Sequence, residues 1–131
     1  MSILNADKWL YSVLTSDAAL QALVSDRIYE DAAPALIYDP YVVFQFVNGI
    51  NVSNFSVDKI MDDEVWIVKA AAKGNDYTVL EPIDKRIGEL LHKASGTGVL
   101  GCAQEDPFRF SELDNGEIYK HLGHYYRIYT Q

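Results

Sequence analysis

Residues 64–72, EVWIVKAAA, place Val65, Trp66, Ile67 and Val68 in one unbroken apolar run. β-Branched and aromatic residues dominate the run, with Asp62-Asp63 before it and Gly74-Asn75 after it. It reads as a strand buried on both faces, although periodicity alone does not separate such a run from a short buried helix. A strand of that kind needs a cover, and residues 78–94 supply one. Leu80, Ile83, Ile87, Leu90, Leu91 and Ala94 fall on one helical face. On the opposite face Glu81 precedes Lys85 and Glu89 precedes Lys93 at the favourable i,i+4 order. Thr78 and Glu81 have the spacing of a capping box, Pro82 fits the first turn, and Gly96 ends the helix. A doubly covered strand with an amphipathic helix behind it confines the chain to a layered fold of mixed composition.

The flanking elements fit that frame. Trp9, Leu10, Val13 and Leu14 share a helical face, Ser16-Asp17 offers a second N-cap, and Leu20, Leu23 and Val24 continue the stripe. Two short helices or one bent one therefore cover residues 6–24. A short strand at residues 27–29 and a loop with Pro34 lead to residues 41–47, YVVFQFV, apolar on nearly both faces. Asn48-Gly49 predicts a hairpin reversal, because both residues accept positive φ. Beyond it, residues 50–61 are too apolar for a solvated loop and too irregular for a core strand. They are expected to form a protruding hairpin arm.

Residues 99–105 read as a strand weakened by Gly101 and broken at Asp106-Pro107. Extended alternation resumes at residues 108–110, Asp114-Asn115-Gly116 turns, and residues 121–130 form a closing strand. The expected fold is α+β: a mostly antiparallel sheet with helices packed on one face, N-terminal helices, and one long crossover helix. Residues 1–131 are expected to be a single domain.

Composition removes several function classes. A formal net charge of -8, with no run of Lys or Arg, argues against a grip on nucleic-acid phosphates. Cys102 is the only cysteine, so neither an intramolecular disulfide nor a cysteine zinc cluster is available. No apolar stretch approaches the ~20 residues of a membrane span, and the N-terminus lacks a secretory pattern. A soluble cytosolic protein is expected.

No arrangement of residues points to catalysis, a metal or a cofactor. His121 and His124, three apart in a strand, project to opposite faces and cannot share a metal. His92 suits a helix C-terminus. Asp62-Asp63-Glu64 is expected to be a solvated turn and Gly96-Thr97-Gly98 a plain turn, while Cys102 has no basic neighbour to activate it. What stands out is nine tyrosines, with Tyr125, Tyr126 and Tyr129 crowded near the C-terminus, a residue type favoured at protein contacts as well as in strands. The exposed apolar residues expected on the arm, Ile50, Val52, Phe55, Val57 and Ile60, join Tyr125 and Tyr129 as interface candidates. Their alternative is to fold back on the chain's own sheet.

The string WLYSVLTSDAALQALVSDRIYEDAAP followed by PYVVFQF resembles the tail-completion, or tail-terminator, proteins of long-tailed bacteriophages. The later strand EVWIVKAAAKG, the helix TVLEPIDKRIGELLHKA and a closing aromatic strand follow in the same order. The resemblance implies a non-enzymatic virion protein, assembled in the host cytoplasm. It implies a homo-oligomeric ring, a hexamer, that caps the tail tube protein and meets the head connector, with genomic DNA passing through unbound. It carries over no catalytic residue. A head-closure or neck adaptor is one rival, and a small ligand-binding domain or hydrolytic enzyme is another.

Overall fold

A computed structural model describes residues 3–34, 39–53, 59–74 and 76–131, with side chains at 6–34, 39–50, 61–74 and 76–131. The elements run α1 (Ile3–Thr15), α2 (Ala18–Val24), β1 (Ile28–Glu30), β2 (Tyr41–Ser53), β3 (Lys59–Lys73), α3 (Glu81–Leu91), β4 (Val99–Asp114) and β5 (Glu117–Thr130). The five strands make one sheet in the order β1-β2-β3-β5-β4. β1 pairs in parallel with β2, and the other three pairings are antiparallel. α3 lies between β3 and β4 in the chain, and β5 lies between them in the sheet.

Alternation along the strands sorts the core. Val42 and Phe44 of β2, Trp66 and Val68 of β3, and Tyr126 and Ile128 of β5 project to one side, where they pack with Leu10, Leu14, Leu20, Ile83, Ile87 and Leu91 of the helices. Trp66 and Tyr126 are direct cross-strand partners, 1% and 0% exposed, so the central strand pair carries two of the largest buried side chains. Each such side chain contributes about 1.5–3 kcal/mol by leaving water. Ala70 and Ala72 lie on the same side, where their small size lets the helices sit close. Asp17 caps α2 by accepting from the Leu20 N–H at 2.8 Å. The same carboxylate takes Nε and Nη2 of Arg86 at 2.9 and 2.7 Å, which ties α2 to α3.

Several expectations change. β2 runs straight through Asn48 and Gly49, which pair with Val65 and Glu64. The glycine serves close approach rather than reversal: a Cβ there would lie 3.1 Å from Glu64 Cγ. Strand pairing also takes in much of the supposed irregular segment, through Asn51↔Asp62 and Val52↔Met61 to Ser53↔Lys59. The capping box does not form. α3 starts at Glu81 with Leu80 as an uncapped N-cap, and Asp76 Oδ1 instead accepts from the Thr78 N–H at 3.0 Å. The helix stops at Leu91, short of Gly96, because Lys93 takes a left-handed φ of 67° and donates its N–H to the Cys102 carbonyl. Among the described residues, Arg86 rather than Lys85 or Lys93 makes the ion pair along the helix, with Glu89 at 3.1 Å.

Asp106-Pro107 does not end β4. A bulge between Gln104 and Pro107 absorbs the break, which an edge strand tolerates because its outer N–H groups have no ladder partner. Asp62-Asp63-Glu64 lies inside β3 rather than in a turn, with Asp62 and Glu64 only 7% and 3% exposed. Glu64 is held there by the Trp66 indole N–H at 2.9 Å, with the Thr130 hydroxyl at 3.4 Å.

Candidate assembly surfaces

The sheet face opposite the core carries a second small cluster, Tyr41, Val43 and Ala71 with Tyr29 and Ala33 beside it. Further along, Gly123 of β5 sits between Lys69 of β3 and Phe108 of β4. Having no side chain there, it leaves a gap, and Lys69 Nζ reaches the Phe108 and Phe110 rings at 5.5 and 5.2 Å. Phe110 stacks on His121 at 4.3 Å, and Phe108 meets Tyr125 edge-on at 5.9 Å. Arg127 then spans three strands, donating to Asp63 at 2.7 Å and Glu105 at 2.9 Å.

Where this face meets residues 31–34 a cleft of 260 Å³ opens, lined by Asp31, Tyr41, Lys69, Glu112, Asp114, Tyr119 and His121 among others. Burial pulls the Lys69 ammonium below its usual range, and the Glu112 carboxylate opposes that only in part. Burial also lowers His121, more than its hydrogen bond to Glu112 raises it. The neutral ring therefore donates Nε2–H to Glu112 Oε1 at 2.8 Å, and its buried Nδ1 is an acceptor with no partner among the described residues. Among the described residues, no Ser, Thr or Cys lines the cleft. Cys102 belongs to the core on the other side, where burial pushes its thiol up to about 12.

The helix side of the β4–β5 hairpin is different. Arg109 Cζ and Lys120 Nζ each lie 5.2 Å from the Tyr77 ring centre, and Lys120 donates to Ser111 Oγ at 2.6 Å. Leu113 and Ile118 pair beyond them, 73% and 38% exposed. At the other end of the sheet Phe46, Val47 and Ile50 are exposed, Ile50 by 65%. Val47 is the residue at the bulge between Phe46 and Asn48.

Of the interface candidates, Ile50 is therefore on the surface of β2. Val52 lies in β2 and Ile60 in β3, with their side chains outside those described, and Phe55 and Val57 lie outside the described residues. Tyr125 and Tyr129 are half-buried on the helix-free face, whereas Tyr126 is a core residue bonded to Gln104 Nε2 at 3.2 Å. His121 and His124 do point to opposite faces, to Glu112 and to Asp84 of α3. His92 caps the end of α3 and accepts the Gln104 N–H at 3.0 Å. Sequence reasoning passed over the cleft and the Arg109–Tyr77–Lys120 group. Both depend on register across the β4 bulge, and only the alternation of charge with aromatics at residues 108–112 hinted at them.

No curated protein matches the chain in sequence. A chain from the virion of a native gene transfer agent (GTA) particle is similar in structure, with a TM-score of 0.72 at 15% identity, over 92% of this chain and 91% of that one. At that identity the likeness shows a common fold. Residues 8–94 match the family profile of tail completion protein gp17, which is more than half of the chain. By that match the chain belongs to the tail completion protein gp17 family, and its role is a structural one in the phage tail.

Proposed function

We propose that the chain, acting as one domain over residues 1–131, assembles into a hexameric ring that caps the tail tube and joins it to the head connector. One observation carries this reading. Exposed apolar side chains sit at both ends of the sheet, Phe46, Val47 and Ile50 at one and Leu113 and Ile118 at the other. Register places the two groups about 26–36 Å apart along β5, Phe46 nearer and Ile50 farther, at roughly 3.3 Å per residue. A subunit that must touch its neighbours and a further partner at once needs separate surfaces of this kind.

The end bearing Ile50, continued by the β2–β3 hairpin that holds Val52 and Ile60, meets the tube. Tyr125 and Tyr129 on the helix-free face add contact area. A net charge of -8 keeps the ring from holding genomic DNA as it passes. The protein folds in the host cytoplasm and ends in the virion, with no chemistry of its own.

Sedimentation velocity and electron microscopy of the purified chain, alone and with tail tubes, test the reading. Closed rings lodged at tube ends are expected, and an Ile50→Asp variant should keep the ring and lose the tube. A chain that stays monomeric refutes the proposal. Rings that ignore tubes yet bind connectors replace it with a neck adaptor.

A further inference from the structure

We infer that neighbouring copies meet head to tail through the two sides of the β4–β5 hairpin. Arg109 and Lys120 of one copy, with Leu113 beside them, seat on the cleft of the next at Asp31, Glu112 and Asp114. The inference rests on the ring reading above and names its subunit contact.

Charge supplies the first argument. Arg109 and Lys120 share the Tyr77 ring and find no carboxylate among the described residues, although acidic residues outnumber basic ones 19 to 11. Among the described residues, the cleft on the reverse side of the same hairpin carries three carboxylates and one cation, Lys69, which is turned to Phe108 and Phe110. Two clefts facing each other, or two basic sides facing each other, repel. A basic side on an acidic cleft attracts.

The second argument is an unmet hydrogen bond. His121 lines the cleft, is 4% exposed, and holds Nδ1 as an acceptor with no partner among the described residues. A buried acceptor in that state costs free energy until a donor arrives. The N–H groups of Arg109 or Lys120 from a neighbour are donors of the required kind.

Geometry supplies the third. Glu112 and Asp114 pair with Tyr119 and Glu117, whereas Arg109 and Ser111 pair with Leu122 and Lys120, so alternation sends the acids and the cations to opposite sides. Patches on opposite sides of one element cannot satisfy each other within a two-fold dimer of that element. They make a heterologous contact, which closes a ring when the rotation between successive copies divides the full turn. Leu113 gives the contact an apolar centre inside a charged rim, the usual anatomy of a stable interface.

The test uses two charge-reversed variants of the full chain, R109E/K120E and D31K/D114K, each checked for its fold by circular dichroism. In sedimentation velocity each variant alone should remain monomeric. An equal mixture should recover rings, because every contact in an alternating ring is then complementary. If charge reversal costs the fold, R109Q/K120Q serves instead. It should raise the concentration at which rings dissociate about tenfold, equivalent to about 1.4 kcal/mol. Variants that each assemble like the parent overturn the inference and leave the ring standing, as does a mixture of folded variants that stays monomeric. A parent chain that is itself monomeric overturns the ring reading and this contact with it.

Discussion

Replacing Gly123 with alanine adds one methyl group at the join of three strands, and the structure fixes both the sign and the size of the effect. A Cβ at Gly123 would stand 2.4 Å from the Val68 carbonyl oxygen, 2.5 Å from Lys69 Cα and 2.6 Å from Lys69 Cβ. The first two are backbone atoms of β3 and cannot swing aside. Relief requires β3 and β5 to part by about 1 Å, a distance that strains the hydrogen bonds between them, and overpacking of this kind costs about 1–3 kcal/mol. Opposing it is the smaller entropy of an unfolded alanine, which favours the variant by about 0.5–1 kcal/mol. The steric cost wins, for a net loss of about 1.3 kcal/mol. At about 2.1 cal/mol/K of unfolding entropy per residue, that lowers the melting temperature by about 5 °C.

Gly101→Ala is the matched control. Nothing lies within 4 Å of its Cβ position, and its φ is not left-handed, so only the entropy remains. That variant should melt about 2–3 °C above the parent. Paired calorimetric scans decide the matter. A Gly123→Ala protein that melts at or above the parent, beside a Gly101→Ala protein that behaves as stated, refutes the claim that the glycine is a steric requirement of the β3–β5 join.

Two further outcomes concern pH. Arg86, chiefly through its hydrogen bond, holds the Asp17 carboxyl below its ordinary value of 3.8. Its contribution to stability is therefore present above that value and lost as pH falls through the folded-state value. Asp17→Asn should flatten that acid limb in melts taken across pH, and Asp17→Ala should cost about 1 kcal/mol more by removing the cap. Glu30 is the opposite case: although the residue is largely exposed, partial desolvation of its carboxyl, and then the facing Asp7 carboxyl, push it from 4.5 up to about 7. The folded chain holds that proton more tightly than the unfolded one. Its stabilising share is complete below 4.5 and drains away as pH rises through about 7, and Glu30→Gln should abolish that decline.

The parts of the fold legible in the sequence were those set by local periodicity. The apolar run Val65–Val68 is the middle of the sheet, Ile83, Ile87 and Leu91 do face the core, Asp17 does cap the second helix, and Asn115-Gly116 does turn. What escaped was decided by contacts distant in the chain. Asn48-Gly49 has the composition of a turn, but Glu64 across the ladder and continued pairing to Lys59 make it strand. Asp62 and Glu64 look solvated until β5 covers them and brings the Thr130 hydroxyl to Glu64, which the nearby Trp66 indole also holds. The assembly surfaces were half legible. Ile50 was recognisable as an apolar residue in a polar setting, whereas Arg109 and Lys120 become neighbours only after the bulge at Gln104/Pro107 resets the register of β4.

The position of β5 has a consequence for timing. It is the last strand in chain order, yet it lies between β3 and β4, and among the described residues β4 has no other partner in the sheet. Until β5 arrives, β3 lacks its second neighbour and β4 has nothing to pair with. Closing this gap brings together residues 46 to 68 positions apart, Lys73 with Tyr119 and Asp62 with Thr130 at the limits, the kind of non-local step that slows folding. The surfaces on the β4–β5 hairpin exist only after that step. A growing or half-folded chain therefore has no means of joining a neighbour through them, and competence to assemble arrives together with completion of the fold.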